Sequence, residues 1–393
     1  MSRILLSLAA FVLTLTSAQA SVVINETNFP DENLRNYASQ YDEDGNGTLS
    51  DAELATITSI NAGGILNLKG AEHFTNLEEL LLWGYSEEES IREIDPSMFP
   101  KLYRFSLGEC NGVTALDFSR NTMFETIDLS HCANVQALSL PTSVKEIQLF
   151  GAPKLTALDV SRLPNLIGLW LQHTGITDLD FSNHPAIQLV SIQGGEDALD
   201  QMNSLNLQNC ATLENVDIRY TTIKSLSMKH LPIVRTLMML NNDITTITID
   251  DCEEFNDITC DHNVLGTLSL TNNPQLRVVN CEDNRLQVLI ADNCPVLGQV
   301  QVFNNQLMWL DLKDVVKGNV DESILKLDNQ QPTVQAVKLS PTETGLRVHD
   351  RLDVGRVLNL RAKGIAQTPK EVKVDGIRYF VFYDNGPDTP NLV

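Results

Sequence analysis

Apolar residues recur along this chain with a period that is neither that of a helix nor a plain alternation. The segments LENVDIRYTTIKSLSMKHLPI, VRTLMMLNNDITTITIDDCEE, FNDITCDHNVLGTLSLTNNPQ, LRVVNCEDNRLQVLIADNCPV and LGQVQVFNNQLMWLDL begin at Leu213, Val234, Phe255, Leu276 and Leu297, 21 residues apart each time. Each places apolar residues at offsets 0, 3, 5, 10, 13, 15 and usually 18, and the last four carry Asn at offset 8: Asn242, Asn263, Asn284 and Asn305. Weaker copies start at Leu77, Leu102, Phe124, Val144, Leu166 and Ile187, with spacings from 20 to 26 that mark insertions, one of them the GGEDALDQMN region after Gln193. The pattern predicts about eleven coils across residues 77–312.

Alternation at offsets 3 and 5 makes a short strand with two side chains inward, and offsets 13 and 15 make a second short extended stretch. A single coil cannot bury its leucines alone, so neighbours must stack and share one continuous core. An Asn turned inward at offset 8 needs the backbone of adjacent coils as its partner, because an unpaired buried amide is costly.

The pattern L-x-x-L-x-L-x-x-N-x-L-x-x-L-x-L resembles leucine-rich repeats. The 21-residue form with occasional Cys in its first strand is similar to secreted bacterial repeat proteins of the internalin-like kind, over roughly 60% of the chain. The resemblance implies a mainly β solenoid with irregular or short helical connections. It also implies a small α-helical N-terminal cap that opens with an INE-NFPD-type helix and a calcium-type loop. Here the matching residues are Ile24-Asn25-Glu26 and Asn28-Phe29-Pro30-Asp31.

That loop is read from its own chemistry. From Asp42 the sequence DEDGNGTLSDAE fits D-x-[DN]-x-[DN]-G-x5-E without a departure. Asp42, Asp44 and Asn46 supply side-chain oxygens, Gly47 allows the sharp turn, Thr48 offers its carbonyl, Ser50 acts through water and Glu53 closes the shell with two oxygens. The flanks predict helices, FPDENLRNYASQY with Leu34, Tyr37 and Tyr41 on one face and Pro30 at its start, then SDAELATI begun by Ser50 and Asp51. A sensor works through paired hands and a dockerin-type module through two loops, whereas this chain has one such loop. The expectation is a structural calcium ion held at the calcium levels of the exterior, with a metal-free acidic turn as the alternative. Two N-x-T triplets start at Asn25 and Asn46, and the second is taken as coincidence because a glycan there would sit on a ligand.

Residues 1–20, with Arg3, an apolar run from Ile4 to Leu15 and Ala18-Gln19-Ala20 at the end, read as an export signal cleaved before Ser21. Ser rather than Cys after the cut gives no lipid anchor, and no later run reaches the roughly 20 apolar residues of a membrane span. The mature chain then has 27 Lys+Arg against 51 Asp+Glu, or −24. Residues 21–312 hold 15 basic and 40 acidic groups, whereas 313–393 hold 12 and 11. Such a field disfavours nucleic acid and anionic lipid as partners and leaves divalent cations and basic protein surfaces open.

Cys260 and Cys281 share offset 5 in consecutive coils, and Cys110 and Cys132 share offset 8 in two others. Stacked equivalents lie on the order of 5 Å apart, so a disulfide is geometrically open to either pair. The favoured reading is buried free thiols acting as small hydrophobes. Cys210, Cys252 and Cys294 fall at or near offset 18 in alternating coils, too far apart to pair, and the odd total leaves at least one thiol unpaired within the chain.

After Leu312 the repeat stops. Short strands are predicted in TVQAVKLSP, LRVHDRLDV, RVLNLRAKG and KEVKVDGIRYFVFYDNG, with a two-residue hairpin at Asp375-Gly376. The predicted organisation is a signal at 1–20, a cap at 21–60, a solenoid at 61–312 and a small β cap at 313–393.

Binding in a solenoid is expected on the outward first-strand positions, offsets 2, 4, 6 and 7. Those positions hold Trp83, Phe150, Trp170, Arg219, Tyr220 and Phe303, residue types enriched in binding hot spots. The histidines read as sharing no offset, and no nucleophile or zinc motif is present. Asp117, Asp159, Asp180 and Asp311 in LDxS-like stretches read as a solvated polar face. The expected function is therefore a calcium-binding, exported, non-enzymatic repeat protein that recognises a macromolecule, a protein above all. A structural or envelope scaffold is the alternative, and a glycan-binding protein or hydrolase a remote one.

Overall fold

The computed structural model describes residues 21–84, 90–196, 199–250, 252–291, 293–306 and strands at 309–311, 325–326, 336–340, 343–347, 370–374 and 377–383. The expected export signal at 1–20 lies outside the described residues.

Thirteen parallel strands form one sheet in strict chain order, from Ser59–Gly63 to Leu325–Lys326. Eleven of them begin two residues after the coil starts read from the sequence, or within a residue or so of that, and the sheet gains one further strand at each end. Equal coil length fixes the register: Val216 lies opposite Leu237 and Ile218 opposite Met239. Side chains at offsets 3 and 5 are buried, and those between them point outward. The buried residues form one apolar core that runs from Phe29 to Val302.

The second extended stretch builds a more broken layer. Strands at Ala115–Asp117 and Ala137–Ser139 pair with each other, as do Asp178–Asp180 and Ser204–Asn206. From Ser225–Lys229 a continuous nine-stranded sheet begins. Its last parallel member, Ala336–Ser340, pairs with Trp309–Asp311, and three strands then continue it in antiparallel fashion. Val374 opposes Ile377 across the Asp375-Gly376 pair, as the hairpin reading predicts. LRVHDRLDV begins inside the strand Glu343–Arg347, whereas RVLNLRAKG lies outside the described residues.

Each coil turns two sharp corners, and in many coils the backbone takes a left-handed residue at one or both. Offset 7 has φ near +50° to +55° at Glu109, His131, His173, Tyr220, Asn241, His262, Asp283 and Asn304, and the second corner does the same at Asn183, Asn209, His230, Asn272 and Asn293. This corrects the histidine reading: His131, His173 and His262 share offset 7, and the corner geometry places them there.

The offset-8 asparagines are buried as expected and tie each coil to the one before it. Asn242, Asn263, Asn284 and Asn305 donate from Nδ2 to the carbonyls of Ile218, Met239, Cys260 and Cys281 at 2.7–2.9 Å. Three of them accept through Oδ1 from Ile244, Leu265 and Leu286 N–H. Cys132 stands where Asn would and donates its thiol to the equivalent carbonyl, Leu107, at 3.2 Å. At the other corner Cys210, Cys252 and Cys294 donate to Phe181, Met228 and Leu270 carbonyls in the same way.

The cysteine expectation is corrected in one place. Cys260 and Cys281 form a disulfide, with Cα atoms 4.8 Å apart, while Cys110, Cys132, Cys210, Cys252 and Cys294 take no part in a disulfide and are buried. Offset 5 points both thiols into the core from neighbouring coils, with Cα atoms close enough for the sulfurs to bond. Offset-8 thiols turn to carbonyls instead, Cys110 to Gly108 at 3.2 Å.

Candidate metal centre and binding face

The acidic loop lies between two helices. Strand β1 is Ser21–Val23, helix α1 is Glu32–Ser39, β2 is Thr48–Ser50 and α2 is Asp51–Thr56. Asp31 caps α1 by accepting from Leu34 N–H at 2.9 Å, so Pro30 precedes the cap rather than opening the helix. Leu34 is buried, and Tyr37 bonds the Ser59 carbonyl at 2.7 Å and the Tyr41 hydroxyl at 3.2 Å. The helical face read from the sequence therefore seats the loop on the first coil.

Between the helices the loop folds around its carboxylates. Asp42 accepts from Asn46 N–H at 3.1 Å and Gly47 N–H at 2.9 Å, and Asp44 accepts from the Asn46 amide at 2.8 Å. Asn46 Oδ1 accepts from Thr48 N–H at 2.8 Å. Gly47 has φ +77° with open space where a side chain would start, so its conformation, not crowding, calls for glycine. Ser50 and Glu53 form a capping box: Ser50 Oγ accepts from Glu53 N–H at 3.3 Å and donates to Oε2 at 2.7 Å. The Ser50 N–H and hydroxyl, followed by Glu43 N–H, hold the Glu53 carboxyl below the usual carboxylate range.

Oxygens of Asp42, Asp44 and Glu53 lie within 4.8 Å of one another. Calcium takes oxygen ligands at about 2.3–2.6 Å, so atoms on its shell are at most about 5 Å apart, and this all-oxygen set fits that size. The donors to these carboxylates are amides and the Ser50 hydroxyl. The residues present therefore fit the group that the motif implies: Asp42, Asp44, Asn46, Thr48, Ser50 and Glu53 would hold it.

Of the six candidate binding residues Trp83 is exposed and the other five are half-buried, all at outward strand positions or just beyond the strand ends. Phe150, Trp170, Arg219 and Tyr220 fall on strands Glu146–Ala152, Gly168–Thr174 and Asn215–Arg219 or just beyond, with one strand, Leu189–Gln193, between the last two. They make one central patch. Trp83, 42% exposed, lies three strands before it, and Phe303 lies beyond its far end, four strands past Arg219.

Two features of this face were not legible beforehand. A side chain at Gly63 would collide with the Trp83 indole, and one at Gly168 would meet Trp170 Cη2 and Cζ3 at 2.5 Å, so each indole lies down over a glycine. Arg219 is engaged by Asp217 at 2.7 and 2.9 Å, and Tyr220 donates to Glu196 at 3.3 Å. The aspartates of the LDxS stretches have a use: Asp117 and Asp180 accept from Ser119 and Ser182 N–H at 2.9 Å, and Asp159 from the Ser161 hydroxyl at 2.6 Å, closing turns. Ser119 holds Asp117 and Ser182 holds Asp180 below the usual carboxylate range. The side chain of Asp311 lies outside the described residues.

The repeat, its two layers and its asparagine ladder define the fold as a leucine-rich-repeat solenoid. No protein-family description matches the chain, and no curated protein matches it. Among solved structures it is similar to the functional domain of InlJ from Listeria monocytogenes, described as including a cysteine ladder, at 16% identity over 75% of this chain and 83% of that one, TM-score 0.40. It is also similar to the internalin InlF from Listeria monocytogenes at 16% identity, 76% and 88% coverage and TM-score 0.47. In the Toll–Spatzle complex of Drosophila the match is 15% identical, covers 69% of this chain and 42% of that one, and has TM-score 0.46. No helix among the described residues is long and apolar enough to cross a membrane.

Proposed function

We propose that this chain is an exported, non-enzymatic leucine-rich-repeat protein, braced by calcium at residues 42–53, that binds a protein partner on its strand face. The observation that carries the reading is the patch of Phe150, Trp170, Arg219 and Tyr220 on an outward sheet face, with the Trp170 indole laid over Gly168. Aromatic surface held flat by a rigid scaffold loses little freedom on binding and contributes strongly to interfaces. Charge gives the partner its sign, since the body is acidic and the cations of the face are engaged: Arg104 with Glu79, Lys145 with Glu125, Arg219 with Asp217 and Arg235 with Glu214. A basic protein surface fits best. The calcium assignment rests on the twelve-residue motif and on the converging oxygens of Asp42, Asp44 and Glu53.

The test is a binding screen of the whole chain against exported proteins and glycans, repeated with Trp170→Ala and Phe150→Ala. Loss of one protein ligand in both variants, with unchanged melting, supports the reading. A ligand retained by both, or glycans alone captured, overturns it, and no ligand at all favours a scaffold.

A further inference from the structure

Strand β2 is loop positions 7 to 9 of the acidic loop, and in a single hand it would be left as an unpaired edge. Here β1 covers it: Ser21 lies opposite Ser50, Val22 opposite Leu49 and Val23 opposite Thr48, antiparallel. Ile24 N–H then donates to the Gly47 carbonyl at 3.0 Å, which reaches the glycine at the loop's sharp turn. Leu49 is fully buried, and Val22 and Ile24 pack against the same core. Beyond Ile24 the segment continues into the solenoid. Asn28 donates to the Val23 carbonyl at 2.8 Å, and Phe29 is buried, stacked on Phe74 at 6.0 Å and pressed against Gly70.

We propose that residues 21–24 are a working part of the metal site. The chain supplies from its own N-terminal segment the strand that a second hand would otherwise provide, and so couples ion binding to the docking of residues 21–29 on the first coil. The proposal rests on the calcium reading above. Its physical basis is linkage: if β2 is ordered only when paired, ion binding and β1 pairing each strengthen the other by the same factor. Of the ligands, Thr48 and Ser50 belong to β2, and Gly47 is held from outside the loop by Ile24. The coupling runs through backbone bonds, so side-chain changes at the exposed Val23 should leave it intact.

The experiment is amide hydrogen exchange of the whole chain with and without calcium chloride, together with calcium titration of Ile24→Pro and Ile24→Ala. The expected result is that calcium slows exchange at residues 22–24 along with 46–50, by about tenfold or more. Ile24→Pro, which lacks the donor to Gly47, should bind calcium about tenfold more weakly, while Ile24→Ala, which keeps it, stays within about threefold. Slowed exchange at 46–50 with no change at 22–24, or wild-type affinity in Ile24→Pro, overturns the coupling and leaves the calcium site standing. Calcium that changes neither segment overturns both. Should Ile24→Pro fail to fold, the exchange pattern of the unmodified chain decides.

Discussion

Asn284 donates its side-chain amide to the carbonyl of Cys260, one coil earlier, at 2.9 Å, while its Oδ1 accepts from Leu265 N–H at 3.0 Å. One buried side chain thus satisfies two backbone groups of a neighbouring coil that water cannot reach. Asn284→Ala strands both and should cost about 2–4 kcal/mol in denaturant unfolding. Asn284→Cys should cost clearly less, because Cys132 already bonds the matching Leu107 carbonyl through a thiol. Equal losses in the two variants would contradict the ladder account.

Thiol chemistry separates the cysteines. Burial pushes Cys110 and Cys210 up to about 11 and Cys132 up to about 12. The native chain should therefore resist alkylation at pH 8. Denatured without reductant it should expose five thiols, and with reductant seven. Seven thiols without reductant would remove the Cys260–Cys281 bond.

Much of this was legible in the sequence, and the omissions have physical reasons. Leu213, Val234, Phe255, Leu276 and Leu297 announce the coil because a period of 21 aligns core positions, and Asn284 announces its ladder because Asn recurs at the same offset in four successive coils and a side-chain amide carries both donor and acceptor. The left-handed corners carry mostly Asn, His and Asp, the types that tolerate positive φ, but Glu109 and Tyr220 break the pattern and the two corners fall at different offsets, which hid the signal. Strand β1 was hidden because Ser21-Val22-Val23 is too short to show a period and its partner lies 27 residues on. Gly63 escaped notice because it and Trp83 belong to different coils, whereas Gly168 and Trp170 lie two apart on one strand, where spacing alone does not say that the indole folds back. For the two cysteine pairs, similar spacing conceals a difference between a ladder position and a corner.

Asp261 makes the fold sensitive to pH. Burial pushes its carboxyl up to about 6, with Glu282 and Asp283 adding repulsion against the Glu282 N–H bond and nearby His262. The folded state holds this proton more tightly than the unfolded chain, so stability is full below about pH 4 and falls as pH rises to about 6. Asp261→Asn should remove that loss. It should be more stable than the unmodified chain at pH 7 by on the order of 1–2 kcal/mol, allowing for partial solvent screening, and equal to it near pH 4. Equal stability at both pH values would contradict the assignment.

The binding patch predicts its own sensitivity to the glycine beneath it. Gly168→Val would displace the Trp170 indole while leaving the buried ladder of Leu169 and Leu171 in place. Affinity for the partner should fall about tenfold or more, as for Trp170→Ala, with little change in melting. Undiminished affinity would show that the laid-down indole plays no part in recognition.

Thermal unfolding with limited proteolysis tests most directly whether the loop from Asp42 to Glu53 braces the first coil with calcium, as proposed. In millimolar calcium the unmodified chain should melt a few degrees higher than in chelator and resist cleavage at residues 21–60, a stabilisation of about 1–3 kcal/mol, and Glu53→Gln should lose most of both effects. Identical melting and cleavage with and without chelator would contradict it.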